Sequence, residues 1–188
     1  MDTSLIFIGV LAVLVIGIAA WVISAYNGFI AMRNKVEEAF ATMDVYLKKR
    51  YDLIPNLVET VKGYAAHEAG TFEKVTAARN MAAGAQSVED KIAGENMLQG
   101  ALKSLFAVAE AYPDLKANLS FLDLQAQLKM LEDDIANARK YYNAVVKTFN
   151  TMVEVFPSNI LAGMFGFKRK TMFEVSEEGQ RETVKVAF

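Results

Sequence analysis

Between Asp2 and Arg33 the chain runs for thirty residues without one acidic or basic side chain, and the heart of that run, Leu5 to Ala25, reads LIFIGVLAVLVIGIAAWVISA. A helix rises about 1.5 Å per residue, so such a segment reaches about 45 Å, while about 20 apolar residues suffice to cross the hydrocarbon core. Buried helices of soluble proteins are usually shorter and keep a polar face. The stretch therefore reads as a transmembrane helix, with Leu5, Ile6, Phe7, Leu11, Leu14, Ile18, Trp21 and Ile23 in contact with lipid. Everything after it is expected to be tethered to a membrane.

The flanks orient the segment. A cleaved signal peptide opens with a positive region, whereas this chain opens Met1-Asp2-Thr3-Ser4, so the apolar run is expected to stay uncleaved despite Gly17-Ile18-Ala19. Arg33 and Lys35, then Lys48, Lys49 and Arg50, follow on the far side. The positive-inside rule puts that side in the cytoplasm and the N-terminus outside. Trp21 and Tyr26 suit the headgroup level. Ala20, Ser24 and Gly28 recur every four residues and make a small-residue stripe suited to close helix approach between protomers.

After the anchor about 160 residues remain, enough for one domain. Its composition is that of a folded body, with 53% hydrophobic residues and only 11 Gly and 3 Pro. A net charge of −2 gives no basic excess for nucleic acid. With no Cys, disulfides, thiolate metal sites and cysteine nucleophiles are excluded.

The soluble part reads as helices. Phe29, Val36 and Met43 lie seven apart, as do Arg33, Phe40 and Leu47, so the first helix is expected to leave the membrane as the first helix of the domain. A flexible juncture near Asn27-Gly28 is the competing reading. Proline favours the first turn of a helix, so Pro55 predicts a turn or kink over 48–51 and a second helix capped by Asp52. That helix carries Leu53, Leu57, Val61, Ala65, Phe72 and Val75 inward and ends near Ala82, before Gly84-Ala85-Gln86-Ser87. A third spans about Val88 to Ala111, with Ile92, Leu98, Leu102, Leu105, Phe106 and Ala109 apolar, and Tyr112-Pro113-Asp114 ends it. The fourth has the strongest period. Phe121, Leu124, Leu128, Leu131, Ile135, Ala138, Tyr142, Val145, Phe149 and Met152 alternate spacings of three and four, with Ser120 as cap and Asp123 in a box position. Four long helices with short links predict an all-α antiparallel bundle. Three segments follow: the anchor over 1–27, the bundle over 28–156 and a C-terminal tail over 157–188.

In the tail, Phe156, Ile160, Leu161, Met164, Phe165, Phe167 and Phe173 surround Lys168-Arg169-Lys170, and Thr183 to Phe188 alternates in strand fashion. Such a segment fits an anionic membrane face, the bundle itself or a neighbouring protomer. Phe165, Phe167 and Phe188 join Ala20, Ser24 and Gly28 as candidate contacts between protomers.

No constellation of catalytic residues emerges. A carboxylate-bridged metal pair in a bundle needs two Glu-x-x-His motifs, and the single His67 has Tyr64 three residues before it. Zinc fares no better. His67 and Glu68 are adjacent and point about 100° apart on a helix, and no nucleophile motif, phosphate loop or HExxH accompanies them. No cofactor is expected, and an enzyme is disfavoured. A polar line is more informative: Asn118, Gln125, Glu132 and Arg139 recur every seven residues beside the apolar seam, and Asn56, Glu59 and Lys62 flank the second helix. Asn56, Glu59, Gln125, Glu132 and Arg139 are read as a structural network fixing helix register, against the alternative of solvated flanking charges.

Particular runs carry a resemblance. Tyr51-Asp52-Leu53-Ile54-Pro55-Asn56-Leu57-Val58, Thr60-Val61-Lys62-Gly63-Tyr64-Ala65 and Tyr112-Pro113-Asp114-Leu115-Lys116-Ala117 are specific. Tyr26-Asn27, Ala78-Arg79, Phe121-Leu122, Ile135-Ala136, Tyr142-Asn143, Phe156-Pro157 and Phe173-Glu174 agree with them. Together they resemble the LemA family, with one departure at Phe149-Asn150, where relatives often carry Tyr-Asn. The resemblance implies a single-pass protein of the bacterial inner membrane with a cytoplasmic helical bundle, and it supplies no reaction. Relatives associated with magnetosome membranes imply a membrane-organising role by analogy. The expectation is a non-enzymatic, self-associating scaffold in contact with membrane lipid. The alternative is a tethered adaptor that recruits an unidentified protein through its bundle or tail.

Overall fold

The structure is a computed structural model that describes residues 3–174, and every regular element among them is a helix. These are α1 (Thr3–Lys62), α2 (Ala69–Gly84), α3 (Val88–Glu110), α4 (Pro113–Lys116), α5 (Leu119–Glu154) and α6 (Ser158–Phe165). The chain groups into two compact units, one from the chain up to Ala41 with Lys140–Met172, the other from Thr42–Arg139 with the chain from Phe173. Both α1 and α5 contribute residues to each. The strand-like run Thr183 to Phe188, Phe188 included, lies outside the described residues.

Two expected boundaries are corrected. No turn interrupts the chain over 48–55, and no second helix starts at Asp52: α1 continues to Lys62 with Pro55 inside it. An interior proline removes the hydrogen bond to the carbonyl four residues back, here that of Tyr51. The Arg79 Nε–H donates to that carbonyl oxygen at 3.1 Å, so a side chain from α2 replaces the missing bond. The expected second helix is instead divided near Gly63, a poor helix former. There Tyr64 and Ala65 both donate to the Val61 carbonyl, at 3.0 and 2.9 Å, and α2 begins only at Ala69. Among the described residues six helices stand where four were expected: the continuation of α1 through Pro55 offsets this division, and the short α4 and α6 add two.

In the first unit, Phe29, Val36 and Ala39 of α1 are buried with Val145, Val146 and Phe149 of α5. Phe29 meets Phe149 edge-on at 6.4 Å between ring centres, and Phe40 meets Tyr142 at 5.7 Å. Phe149 is only 1% exposed, so its ring fits a dry site where a tyrosine hydroxyl would need a partner. The helix runs unbroken through Asn27-Gly28, and a Cβ at Gly28 would stand 3.7 Å from the Met152 methyl carbon. After α6 the chain reverses at Gly166, whose φ of 74° is left-handed. Gly166 and Phe167 both donate to the Ala162 carbonyl, the glycine-dependent end of a Schellman motif.

In the second unit, Met43, Leu47, Ile54, Leu57 and Val61 of α1 are buried with Phe72, Val75 and Ala82 of α2, Leu98 and Leu105 of α3, and Phe121, Leu128 and Ile135 of α5. The helices α2 and α3 approach closely where Gly94 faces Ala82. A Cβ on Gly94 would lie 2.6 Å from the Ala82 Cα. Ser87 caps α3, its hydroxyl oxygen accepting from the Asp90 N–H at 3.0 Å. The cap of α5 is Asn118 rather than Ser120: the Asn118 Oδ1 accepts from the Phe121 N–H at 2.9 Å, which leaves Ser120 inside the first turn.

Candidate functional site

The most constrained surface is the start of α1. It is the one helix among the described residues long and apolar enough to cross a membrane, and none of its most apolar window is buried within the chain. All eight residues read as membrane-spanning are exposed, from Ile6 at 47% to Phe7 at 77% apart from Trp21 at 40%. Monomeric soluble proteins rarely expose a continuous apolar patch of more than a few hundred Å². A sleeve of this kind is matched by acyl chains, which ask nothing of a helix whose backbone bonds are internally satisfied.

At the foot of that sleeve the rings converge. Tyr26 meets Phe165 edge-on at 4.8 Å and Phe167 at 6.0 Å, while Phe29 stacks on Phe167 at 4.7 Å. Phe165 and Phe167 thus pack on α1 of their own chain, Phe165 remaining 45% exposed. Ala20 and Ser24 are exposed, whereas Gly28 is half-buried facing α5. The segment after Gly166 is held by its main chain. Asn150, buried on α5, donates to the Lys170 carbonyl at 2.9 Å and accepts from the Lys170 N–H at 2.8 Å. The Tyr142 hydroxyl donates to the Thr171 carbonyl at 2.9 Å. In the second unit, Phe173 is buried beneath the Arg139 guanidinium, 5.3 Å from ring centre to Cζ. One side of the tail, through Leu161, Ala162 and Phe173, is thus buried against the chain's own helices.

The second unit contains a buried polar cluster. Arg50 of α1 is 2% exposed and pairs with Glu95 of α3, itself 2% exposed. Its Nη1 also donates to Glu132 of α5 at 2.7 Å. The adjacent Tyr51 hydroxyl donates to the other Glu95 oxygen at 2.5 Å. Nearly two turns earlier on α1, Asp44 pairs with Lys91 of α3. Burial pushes the Tyr51 phenol up to about 12; Arg50 works against that shift and Asp44 adds to it. Tyr51 therefore stays a hydrogen-bond donor throughout the physiological range. The cluster joins three helices through charge-assisted bonds, an arrangement that specifies which helix faces which.

Of the polar residues singled out from the sequence, Glu132 enters this cluster. Gln125 and Asn56 are exposed, Glu59 pairs at the surface with Lys62 at 3.6 Å, and Arg139 covers Phe173. Arg50, Tyr51, Glu95, Lys91 and Asp44 were missed. A signal existed, because Val36, Met43, Arg50 and Leu57 are seven apart and put an arginine on the apolar stripe.

His67 lies exposed in the turn between α1 and α2. Among the described residues no group of three or more His, Asp or Glu is placed to hold a metal ion. A pocket beside Phe106, Ala109 and Phe121, edged by Glu110, Lys116 and Gln125, offers about 80 Å³. That is space for a few waters, while wider open grooves of about 540 Å³ beside Lys49, Asp52, Met130 and Asp134 and about 480 Å³ beside Leu122, Lys129 and Glu132 lie on the surface.

The chain matches the LemA family over residues 39–188. It is 27% identical to Magnetosome protein MamQ 2 of Paramagnetospirillum magneticum, covering 94% of this chain and 74% of that protein. It is 26% identical to Protein LemA of Metamycoplasma hominis, over 88% of this chain and 76% of that one. Magnetosome protein MamQ of Magnetospirillum gryphiswaldense is also 26% identical, over 90% and 73% of the two chains.

Proposed function

This chain belongs to the LemA family, and on that premise we propose that it is a membrane-anchored helical scaffold that self-associates and organises membrane or envelope components without catalysing a reaction. The observation that carries the reading is α1. One helix supplies both the exposed apolar sleeve and the buried stripe of the folded body, so anchor and body are a single element. The basic residues that follow the sleeve favour an N-terminus outside and a body in the cytoplasm of a bacterial inner membrane. Exposed Ala20 and Ser24 offer close approach to a second anchor, and the likeness to proteins named for the magnetosome supports a part in organising a membrane. Buried Arg50, Glu95 and Tyr51 serve as fasteners between helices in this reading. The test is the mass of the intact chain in mild detergent, by light scattering corrected for bound detergent. A discrete multimer is the expected result, and a monomer at every workable concentration refutes self-association. In that event the adaptor reading takes over, in which the body or the Phe188 end recruits another protein.

A further inference from the structure

A second apolar surface lies beside the anchor. The helix α6 contains no charged residue, and it turns Leu161 and Ala162 inward, where both are buried. Its other side shows Ile160 and Met164, four apart on one face, and exposed Phe156 stands in the turn just before the helix. Phe156 and Met164 are 79% and 73% exposed. Among the described residues nothing covers that surface. Its height is fixed, because Phe165 at the end of α6 packs on Tyr26, one residue beyond the apolar run of α1, and Phe167 packs on Phe29 one turn later. Lys168, Arg169 and Lys170 follow directly, all exposed, with Arg169 paired to Glu154 at 2.5 Å.

We infer that α6 lies in the bilayer surface where α1 leaves it, with Phe156, Ile160 and Met164 among the upper acyl chains and Lys168 and Lys170 at anionic headgroups. Three observations select lipid over other occupants. The surface is continuous, through Tyr26 and Phe165, with the sleeve already assigned to lipid. An apolar face followed by clustered basic residues is the pattern of interfacial helices on anionic membranes. A second copy docking the same face symmetrically would bring two such basic runs together, since a twofold contact uses the same patch on both partners. The inference rests on the anchor reading of α1, and it gives the chain a second membrane contact that fixes which side of the body faces the lipid.

Trp21 is the only tryptophan, which makes the test direct. The full chain is reconstituted into vesicles of phosphatidylcholine and phosphatidylglycerol, with bromine placed either high or deep in the acyl chains. In the native chain, quenching of Trp21 by the brominated lipids reports the anchor. In the variant Trp21→Phe with Met164→Trp, the indole now reports α6. Position 164 is exposed, so the larger ring leaves the core intact. The expected result is blue-shifted emission, stronger quenching by shallow than by deep bromines, and protection from aqueous acrylamide. Adding Lys168→Glu and Lys170→Glu is expected to weaken that protection in anionic vesicles and to leave it unchanged in purely zwitterionic ones. Emission like that of an indole in water, open to acrylamide and untouched by bromine, overturns the inference. Protection from both quenchers also overturns it and assigns the face to a second copy. If Trp21 itself escapes the bromines, the anchor reading fails and takes this inference with it, a result distinct from failure at position 164 alone.

Discussion

Replacing Glu95 by alanine tests whether the buried cluster holds helices together. Glu95 receives bonds from Arg50 and from Tyr51, and both it and Arg50 are 2% exposed. Removing one partner of a buried ion pair costs about 3–5 kcal/mol, because the remaining charge keeps its desolvation penalty. Two features modify that figure. Arg50 retains Glu132, 43% exposed, at 2.7 Å, which lowers the cost, while the Tyr51 hydroxyl loses its acceptor, which adds about 1–3 kcal/mol. Contributions within one network do not add, so about 4 kcal/mol is expected. For a chain of this size each kcal/mol shifts the melting midpoint by about 2–4 °C, so Glu95→Ala is expected to lower it by about 10 °C. The assay is helix circular dichroism against temperature in nanodiscs, paired with amide exchange to show that α3 is the helix released. The triple variant Arg50→Met, Glu95→Leu, Tyr51→Phe is expected to recover most of the loss, since an apolar set of similar volume has no orphaned charge. A loss below about 1 kcal/mol for Glu95→Ala, the worth of a solvated pair, would refute the reasoning.

Three further outcomes follow from the geometry. Arg79→Ala is expected to cost about 1–2 kcal/mol in the native background, and less in Pro55→Ala, where the restored N–H reaches the Tyr51 carbonyl; a double-mutant cycle on the unfolding midpoint measures the difference. Gly94→Ala is expected to cost about 1–3 kcal/mol by forcing α2 and α3 apart, and Ala82→Gly is expected not to rescue it, because the nearest atoms are the Ala82 Cα and N rather than its Cβ. The Tyr51 phenol is raised in the folded chain from 10.0 to about 12, so its share of stability is whole below about pH 10 and is lost as pH climbs toward 12. Unfolding midpoints across that window should fall more steeply in the native chain than in Tyr51→Phe.

The anchor and the α5 stripe were legible because each repeats a simple rule over many residues. Phe121, Leu128, Ile135, Tyr142 and Phe149 are all buried at their seven-residue spacing. Pro55 misled because proline chemistry is local, while the group that compensates for it, Arg79, lies 28 residues away and is brought near only by folding. The same holds for Glu95. Its spacing from Leu98 and Leu102 sets it on their side of α3, but reading it as a partner of Arg50 requires knowing that α1 and α3 face each other there. Asn118 displaced Ser120 as the cap of α5 for a smaller reason: both residue types cap helices, and only the backbone decides which one stands at the entry.

Asn150 grips Lys170 by its peptide group and leaves the lysine side chain exposed. The Asn150 amide sets an N–H and a carbonyl oxygen side by side in fixed geometry, as a neighbouring β-strand would, so the grip does not depend on which residue is held. Attachment and charge are thereby separated. Positions 168–170 can exchange lysine for arginine, or lose a charge altogether, while the segment stays moored to α5. Substituting Asn150 would release the same unaltered basic residues from their place on the helix. The charge of this part of the chain can therefore be tuned as a quantity independent of its position.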